Sequence, residues 1–475
     1  MAANGRFERM MIGRRQFLSQ SAAMVAATSL ATWHGAFAAD GVLELRARRA
    51  EQKLLGQRGA VSPLWTYNGR APGPEIRLRK GERVQARLIN ELEEATSIHW
   101  HGIRIVNAMD GVAGLTQQAV PPGGTFDYDF VVPDAGTYWY HAHNRSWNQV
   151  ARGLYGALIV DEEGPVFPPE QDHVLLLDDW RVDGSGALET ASFGALMDWS
   201  HGGRLGNLLT VNGAIRPVLS LSANRPHRLR LINAANARVL QLDPASFGAR
   251  VLAYDGQALP EPATLDYAPF LLGPAQRVDL LVTPEAGQDF SLDELSQGQP
   301  YPLADFRVTG TAGQSAPAPV LSVNDLPEPD MGAARTVTLD MTGGMMGRLD
   351  DIVYRGRQLE GEDLRRTGQM WALNGVANLA DEPLFRARRG ETILLETINN
   401  TAFVHAMHVH GHHFRITERV GSTVDEGRPW RDTFLIGPGQ TTRVAFICDN
   451  PGKWLLHCHM LEHAAAGMNT WFDVA

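Results

Sequence analysis

An all-β chain of three consecutive Greek-key β-sandwich domains is the fold the sequence predicts. At 475 residues the chain is too long for one ordinary core. Its 44% hydrophobic content, with 48 Gly and 27 Pro, suits a loop-rich globular β protein rather than a disordered one. Short alternating strands separated by Gly/Pro turns fill the chain, no long amphipathic helix is readable, and the strand pattern recurs three times.

The first recurring element is WTYNGRAPGPEIRLRKGERVQARLIN, ending at Asn90, matched by LTVNGAIRPVLSLSANRPHRLRLIN ending at Asn233 and WALNGVANLADEPLFRARRGETILLETIN ending at Asn399. Each copy has an Asn-Gly pair, an alternating strand, a turn, a second alternating strand and a terminal Asn. The second element follows in each copy: VPPGGTFDYDFVVPDAGTYWYHAH, LLGPAQRVDLLVTPEAG and IGPGQTTRVAFICDNPGKWLLHCH. The spacing is that of domains rather than solenoid units. It sets expected domains at 39–165, 166–320 and 321–475, with linkers near DEEGPVFPPE (161–170) and TAGQSAPAPVLSVNDLPEPD (311–330).

Residues 1–38 stand apart. Arg14-Arg15 precedes the short apolar stretch SAAMVAATSLATW and the small-x-small end Ala36-Phe37-Ala38, which reads as a twin-arginine export signal and predicts a periplasmic or otherwise exported protein handled by the Tat machinery. The apolar run is shorter than the ~20 residues a membrane helix needs, so no stable membrane anchor is expected. Net charge is −10; removing the four Arg and one Glu of residues 1–38 leaves −10 − 3 = −13. No basic patch dominates, which argues against nucleic acid as a partner.

An oxidising destination favours disulfides, yet the only cysteines are Cys448 and Cys458. Cys448 follows a strand-like run and reads as a buried small hydrophobe. Cys458 sits among histidines. Eight of the 16 histidines form four His-x-His pairs: His99/His101, His141/His143, His408/His410 and His457/His459. In a strand such a pair faces one side, so each can present two imidazoles toward one point. All four lie in the first and third repeats, while the middle repeat has only His173, His201 and His227, scattered. Eight imidazoles exceed what one metal can use, so a site for several ions is expected where repeats one and three meet. Cys458, pointing opposite to His457 and His459, can serve a different ion. His405, His463 and Met468 are its candidate partners, and two histidines, a thiolate and a weak methionine make a blue-copper electron-transfer site.

These motifs, HWHG, WYHAH, HAMHVHGH and HCHMLEHAAAGM, resemble the copper motifs of the multicopper oxidases, the family of laccases, ascorbate oxidase and cuprous oxidases, and the resemblance covers essentially the whole mature chain. It implies cupredoxin-like sandwiches and four coppers: type-1 held by His405, Cys458, His463 and axial Met468; type-2 by His99 and His408; a type-3 pair by His101, His141, His143, His410, His457 and His459. It also implies that a reducing substrate, a phenol or aromatic amine in the laccase-like case, yields one electron at a time. Electrons then pass through Cys458 and His457 or His459 to the cluster where O2 becomes water. A complete cluster in one chain makes a monomer sufficient.

Asp110, eleven residues after His99, stands where the family keeps an acid near the cluster, either as a proton relay or as a turn aspartate ahead of Gly111. On the other side Ala464, Ala465 and Ala466 replace an acid that many relatives keep, leaving the second proton donor unassigned. Ala406 replaces a common proline without removing a ligand, and His412 and His413 are either close to the cluster or on the surface. Met341, Met345 and Met346 in DMTGGMMGR read either as ordinary strand-end and loop methionines or as a Cu(I) site, the mark of the cuprous alternative, since thioethers suit Cu(I). A copper-free cupredoxin scaffold is disfavoured by the full ligand set, a two-domain nitrite reductase by the third repeat, and a simple electron carrier by the eight extra histidines.

Overall fold

A computed structural model describes residues 41–164, 166–265, 269–347, 352–422 and 429–475; the expected export signal at 1–38 lies outside them. Two sheets with strands between Leu43 and Asp161 form the first sandwich, two between Leu208–Val211, Asp172–Trp180 and their neighbours as far as Thr309 the second, and two between Arg335 and Val474 the third. The all-β expectation of three cupredoxin-like sandwiches is met. Among the described residues the helices are single turns such as Leu196–Ser200 and Leu461–Ala465. None of them is long and apolar enough to cross a membrane.

The repeats are hydrogen-bonded in the same way three times. In each, the sandwich's opening strand runs parallel to the strand that ends in the repeated Asn: Leu43–Gln52 beside Arg83–Asn90, Asp172–Trp180 beside His227–Asn233, and Arg335–Gly343 beside Glu391–Asn399. The strand of the second recurring element then pairs antiparallel on the other side: Thr125–Val131, Arg277–Val282 and Thr441–Cys448.

The asparagines explain why the motif recurs. Asn68, Asn212 and Asn374 take φ of 57°, 53° and 49° and each precedes a glycine at positive φ, the backbone of a tight hairpin turn. Their side chains bridge to the opening strand: each Oδ1 accepts from Arg46, Leu176 or Asp340 N–H, and each Nδ2 donates to Glu44, Val174 or Thr338 carbonyl. The terminal Asn90, Asn233 and Asn399 are fully buried. Each accepts the N–H two residues on and donates to carbonyls across the loop, fixing the chain as it leaves the strand.

Repeats one and three share one continuous hydrophobic cluster that includes Leu45, Trp100 and Tyr140 as well as Leu395, Met407 and Phe472. The middle repeat has its own, built on Leu229, Leu231, Val278 and Leu280. Shared packing brings the histidine-bearing strands of repeats one and three together.

Candidate metal centre

Four strands carry the histidines. Ile98–His101 pairs antiparallel with Gly136–Ala142, placing His99 opposite His141. His405–Val409 pairs with Gly452–Cys458, placing His408 opposite His457 and Met407 opposite Cys458. Two glycines let the chain turn beside them. A Cβ on Gly102 would lie 2.4 Å from the Arg277 guanidinium, and one on Gly111 would lie 1.8 Å from the Ile98 carbonyl; their φ values are +88° and +85°.

The eight paired histidines gather into three groups, buried but for the half-buried His143: His99 with His408 and His101; His101 with His141 and His459; and His143 with His410 and His457. Three of the four pairs therefore divide between groups. His141 and His143 belong to different groups, as do His408 and His410, and His457 and His459, whereas His99 and His101 share one; the division of His408 from His410 is the one the resemblance implies, and the structure adds the other two. The cause is reach: ring centroids in these pairs stand 5.8, 4.7 and 5.4 Å apart, so each ring meets a different partner from across the interface.

Hydrogen-bond accounting shows what these groups are for. His410 Nδ1–H donates to the Asp110 carboxylate (3.1 Å) and His457 Nδ1–H to the Cys458 carbonyl (2.9 Å). Both protons are thus committed, and the two bare Nε2 atoms face each other at 3.1 Å. His141 Nδ1–H donates to the Ala142 carbonyl, leaving its Nε2 3.4 Å from His459 Nε2. His99 donates from Nδ1 to the Asp110 carbonyl (2.8 Å) and His408 from Nδ1 to the Asp432 carbonyl (2.9 Å). The Nε2 atoms of His99, His143 and His408, and Nδ1 of His101, are buried without a partner. Lone pairs packed together in a dry site are costly unless a cation lies between them. Burial, and after it the neighbouring imidazoles, hold His101, His143, His408 and His410 well below the ordinary histidine range; burial pushes His457 down to about 4. The rings are neutral, the form that binds copper.

Cys458 faces the other way, as its strand parity predicts. His405, Cys458 and His463 form a separate buried group. The Cys458 Sγ lies 3.7 Å from His405 Nδ1 and 3.8 Å from His463 Nδ1. An ion bound at about 2.0–2.1 Å to nitrogen and about 2.3 Å to sulfur in a trigonal plane would have nitrogen–sulfur edges of about 3.8 Å and a nitrogen–nitrogen edge of about 3.6 Å, against 3.0 Å between the two Nδ1 atoms. The outer nitrogens are again committed: His405 Nε2–H donates to Thr401 Oγ1 (2.8 Å) and His463 Nε2–H to the His201 carbonyl (2.5 Å). Met468 is fully buried, and its carbonyl accepts the Cys458 N–H at 3.0 Å. Burial pushes the Cys458 thiol up to about 12, so metal binding must displace its proton. Trp371 packs on both rings, 4.5 Å from His463 and 5.1 Å from His405.

Around the histidines several residues lie where the sequence left a choice or gave no signal. Asp110 is fully buried and touches His410 and His99, so it is no mere turn residue. His412 and His413 are buried rather than on the surface: His412 donates to the His410 carbonyl, and His413 Nε2 lies 3.7 Å from Asp432. Glu462 points away from the cluster, toward Asn236 Nδ2 (2.8 Å) in the middle repeat, and burial pushes it up to about 7. Met341 is fully buried in a core strand, whereas Met345 and Met346 are exposed, so the candidate Cu(I) trio loses its first member. Cys448 is buried and unbridged.

Asp432 and Arg277 went unread. Asp432 lies 3.4 Å from His101 Nε2, its carbonyl accepts from His408, and its carboxylate receives both terminal nitrogens of Arg277 at 2.8 and 2.6 Å. Arg277 belongs to the middle repeat and is fully buried. The repeat without paired histidines thus supplies a cation to the cluster's edge. Buried arginine in a strand was the only available signal.

Comparison with known proteins agrees with this geometry. The sequence profile described as "Multicopper oxidase" matches residues 50–165 and 357–475, the first and third repeats. The multicopper oxidase MmcO of Mycobacterium tuberculosis is 32% identical over 449 residues, covering 87% of this chain and 84% of that protein. Copper resistance protein A of Escherichia coli is 25% identical over 549 residues, covering 85% and 88%. The crystal structure of a multi-copper oxidase from Pseudomonas thermotolerans superposes with a TM-score of 0.77 at 33% identity, covering 91% of this chain and 98% of that one. The chain belongs to the multicopper oxidases, copper-dependent oxidoreductases that use O2 as acceptor.

Proposed function

We propose that the chain is a laccase-like multicopper oxidase whose residues would hold four coppers: one by His405, Cys458 and His463, with Met468 as a weak further ligand, and three between repeats one and three. His99 and His408 hold the type-2 ion. His101, His141 and His459 hold one member of the type-3 pair, and His143, His410 and His457 the other. The observation that carries this reading is the set of neutral ring nitrogens that face one another with their protons committed elsewhere. Bound copper supplies one-electron acceptance from the substrate and four-electron reduction of O2 to water.

The chain's own residues do the rest. Cys458 is covalently continuous with His457 and His459, so a few bonds join the thiolate site to both halves of the type-3 pair. Its carbonyl also orients His457. Asp110 orients His410 and His99 and is the group placed to hold a proton beside the O2-reducing site. All the proposed ligands come from one chain, so a monomer suffices. Arg14-Arg15 and the apolar stretch after it support export by the twin-arginine machinery to the periplasm.

Phenols and aromatic amines are the substrates of the laccase-like reading. A cuprous oxidase is the second, favoured by exposed thioethers near the type-1 site: Met345 and Met346 are 45% and 78% exposed, and Met345 N–H donates to Ser200 on a turn whose Met197 is 66% exposed. Oxygen uptake by the purified enzyme with 2,6-dimethoxyphenol and with Cu(I) tests the choice. Turnover of the phenol supports the laccase-like reading. Turnover of Cu(I) alone, lost when Met345 and Met346 are replaced, substitutes the cuprous one.

A further inference from the structure

The buried asparagine that ends each repeat's second strand anchors the loop after it in the same way three times, and in the third repeat it does more. Asn90, Asn233 and Asn399 each accept, at Oδ1, the N–H two residues on, which belongs to Leu92, Ala235 and Thr401. Of these three residues Thr401 alone carries a hydroxyl. Its Oγ1 lies 2.7 Å from Asn399 Oδ1 and 2.8 Å from His405 Nε2, and all three side chains are buried.

The direction of these bonds is fixed from the far end. Asn399 Nδ2 donates to the Phe403, Gly437 and Ile436 carbonyls, so the atom that faces Thr401 is the amide oxygen. The Thr401 hydroxyl has one proton, and the two oxygens beside it, Asn399 Oδ1 and the Phe403 carbonyl at 3.2 Å, can only accept. Its lone pairs then receive His405 Nε2–H and, at 3.2 Å, the Phe403 N–H. His405 therefore carries its proton on Nε2 and leaves Nδ1 bare. The choice matters because His405 Nδ1 and His463 Nδ1 stand 3.0 Å apart, within hydrogen-bond reach. With its proton on Nδ1, His405 would donate to His463 and close the pair on itself, taking both nitrogens away from a metal.

We propose that Thr401 is the tautomer lock of the type-1 site: a positioning residue, itself held by Asn399, that keeps His405 Nδ1 free for copper. The proposal rests on the assignment of His405 and His463 to that site. A loop anchor common to all three repeats is thereby extended, by one hydroxyl, into the metal centre of the third.

The test uses the full chain with Thr401→Val, which keeps the branched shape without the hydroxyl, and Thr401→Ser, which keeps the hydroxyl. Nuclear magnetic resonance of the copper-free chain with isotope-labelled histidine reads which nitrogen of His405 carries the proton, the signal being identified by its loss in His405→Gln. Copper titration followed by the blue absorption reads affinity at the type-1 group, and total copper reads the remaining sites. The expected result is an Nε2 proton in the wild type and in Thr401→Ser, and an Nδ1 proton in Thr401→Val. In Thr401→Val, copper affinity at the blue site should fall by about 10–100-fold while copper at the paired histidines is retained. A wild-type chain with the His405 proton on Nδ1 overturns the proposal without recourse to a variant. Unchanged affinity in Thr401→Val, or a loss that Thr401→Ser shares, overturns it as well. A wild-type protein that binds copper without any blue absorption would instead overturn the type-1 assignment; the resonance measurement, made without copper, keeps the two failures distinct.

Discussion

Two pairs of histidines hold their nearest ring nitrogens 3.1 Å apart, and the resemblance ends there. In the middle repeat, His173 Nε2 faces His227 Nδ1. No second bond commits the His173 proton, so with either tautomer of His227 one ring donates to the other and the pair is satisfied. Between repeats one and three, His410 and His457 have both donated their protons elsewhere, to Asp110 and to the Cys458 carbonyl. Equal distances therefore carry opposite meanings: a hydrogen bond in one case, a cation site in the other. The hydrogen bonds behind the rings make that distinction.

The contrast is broken most completely by Cys458→Ser. Removing the thiolate is expected to abolish the blue absorption and all turnover of reducing substrates, while copper bound by the eight paired histidines remains. Measuring absorption, copper content and oxygen uptake on one preparation checks this, and retained turnover would mean electrons enter elsewhere.

Arg277→Met comes next. It strips the partner from Asp432 in a site where both groups are essentially inaccessible, and breaking a buried pair by removing one member costs about 3–5 kcal/mol. Thermal unfolding should show a clear loss of stability. Because Asp432 also touches His101 and His408, the spectrum of the type-2 ion should change as well.

Asp110→Asn keeps the volume but weakens the bond that fixes His410. A loss of about 10–100-fold in copper affinity or oxygen reduction is expected, as for other partners that orient a metal-binding imidazole. Oxygen-uptake kinetics and copper titration measure it, and an unchanged enzyme would leave Asp110 without the role given to it here.

His173→Gln, in the satisfied pair, is expected to leave copper content and turnover unchanged. Its effect is on acid stability. Burial, and then His227, lower His173 to about 4 in the folded chain, below its ordinary value near ~6.5. The folded state thus favours the neutral ring. That contribution is fully present above the unfolded value and is lost as pH falls through about 4. The variant should show a shallower loss of stability over this range in thermal melts at stepped pH.

Contiguous features were the ones legible in the sequence. The Asn-Gly turns and terminal asparagines were visible because each does its work within a repeat, and strand alternation sent Cys458 away from His457 and His459 without any knowledge of the fold. Which of the six type-3 histidines share an ion was not visible, because it depends on which ring stands opposite across the interface. Asp432 and Arg277 are 155 positions apart, and His201 is 262 positions from His463, so nothing local marks them. Met341 takes the plainer of its two readings: its neighbours Met345 and Met346 reach the surface, but it lies on the strand before them, facing the core.

Copper analysis of the purified, reconstituted protein, combined with its absorption and electron paramagnetic resonance spectra, tests the central claim most directly. Four nitrogen and sulfur groups, two of which meet at His101, predict about four coppers per chain. One should give intense blue absorption, one an ordinary type-2 signal, and two should be coupled and silent. One copper per chain or none, or copper without the blue band, would contradict the account.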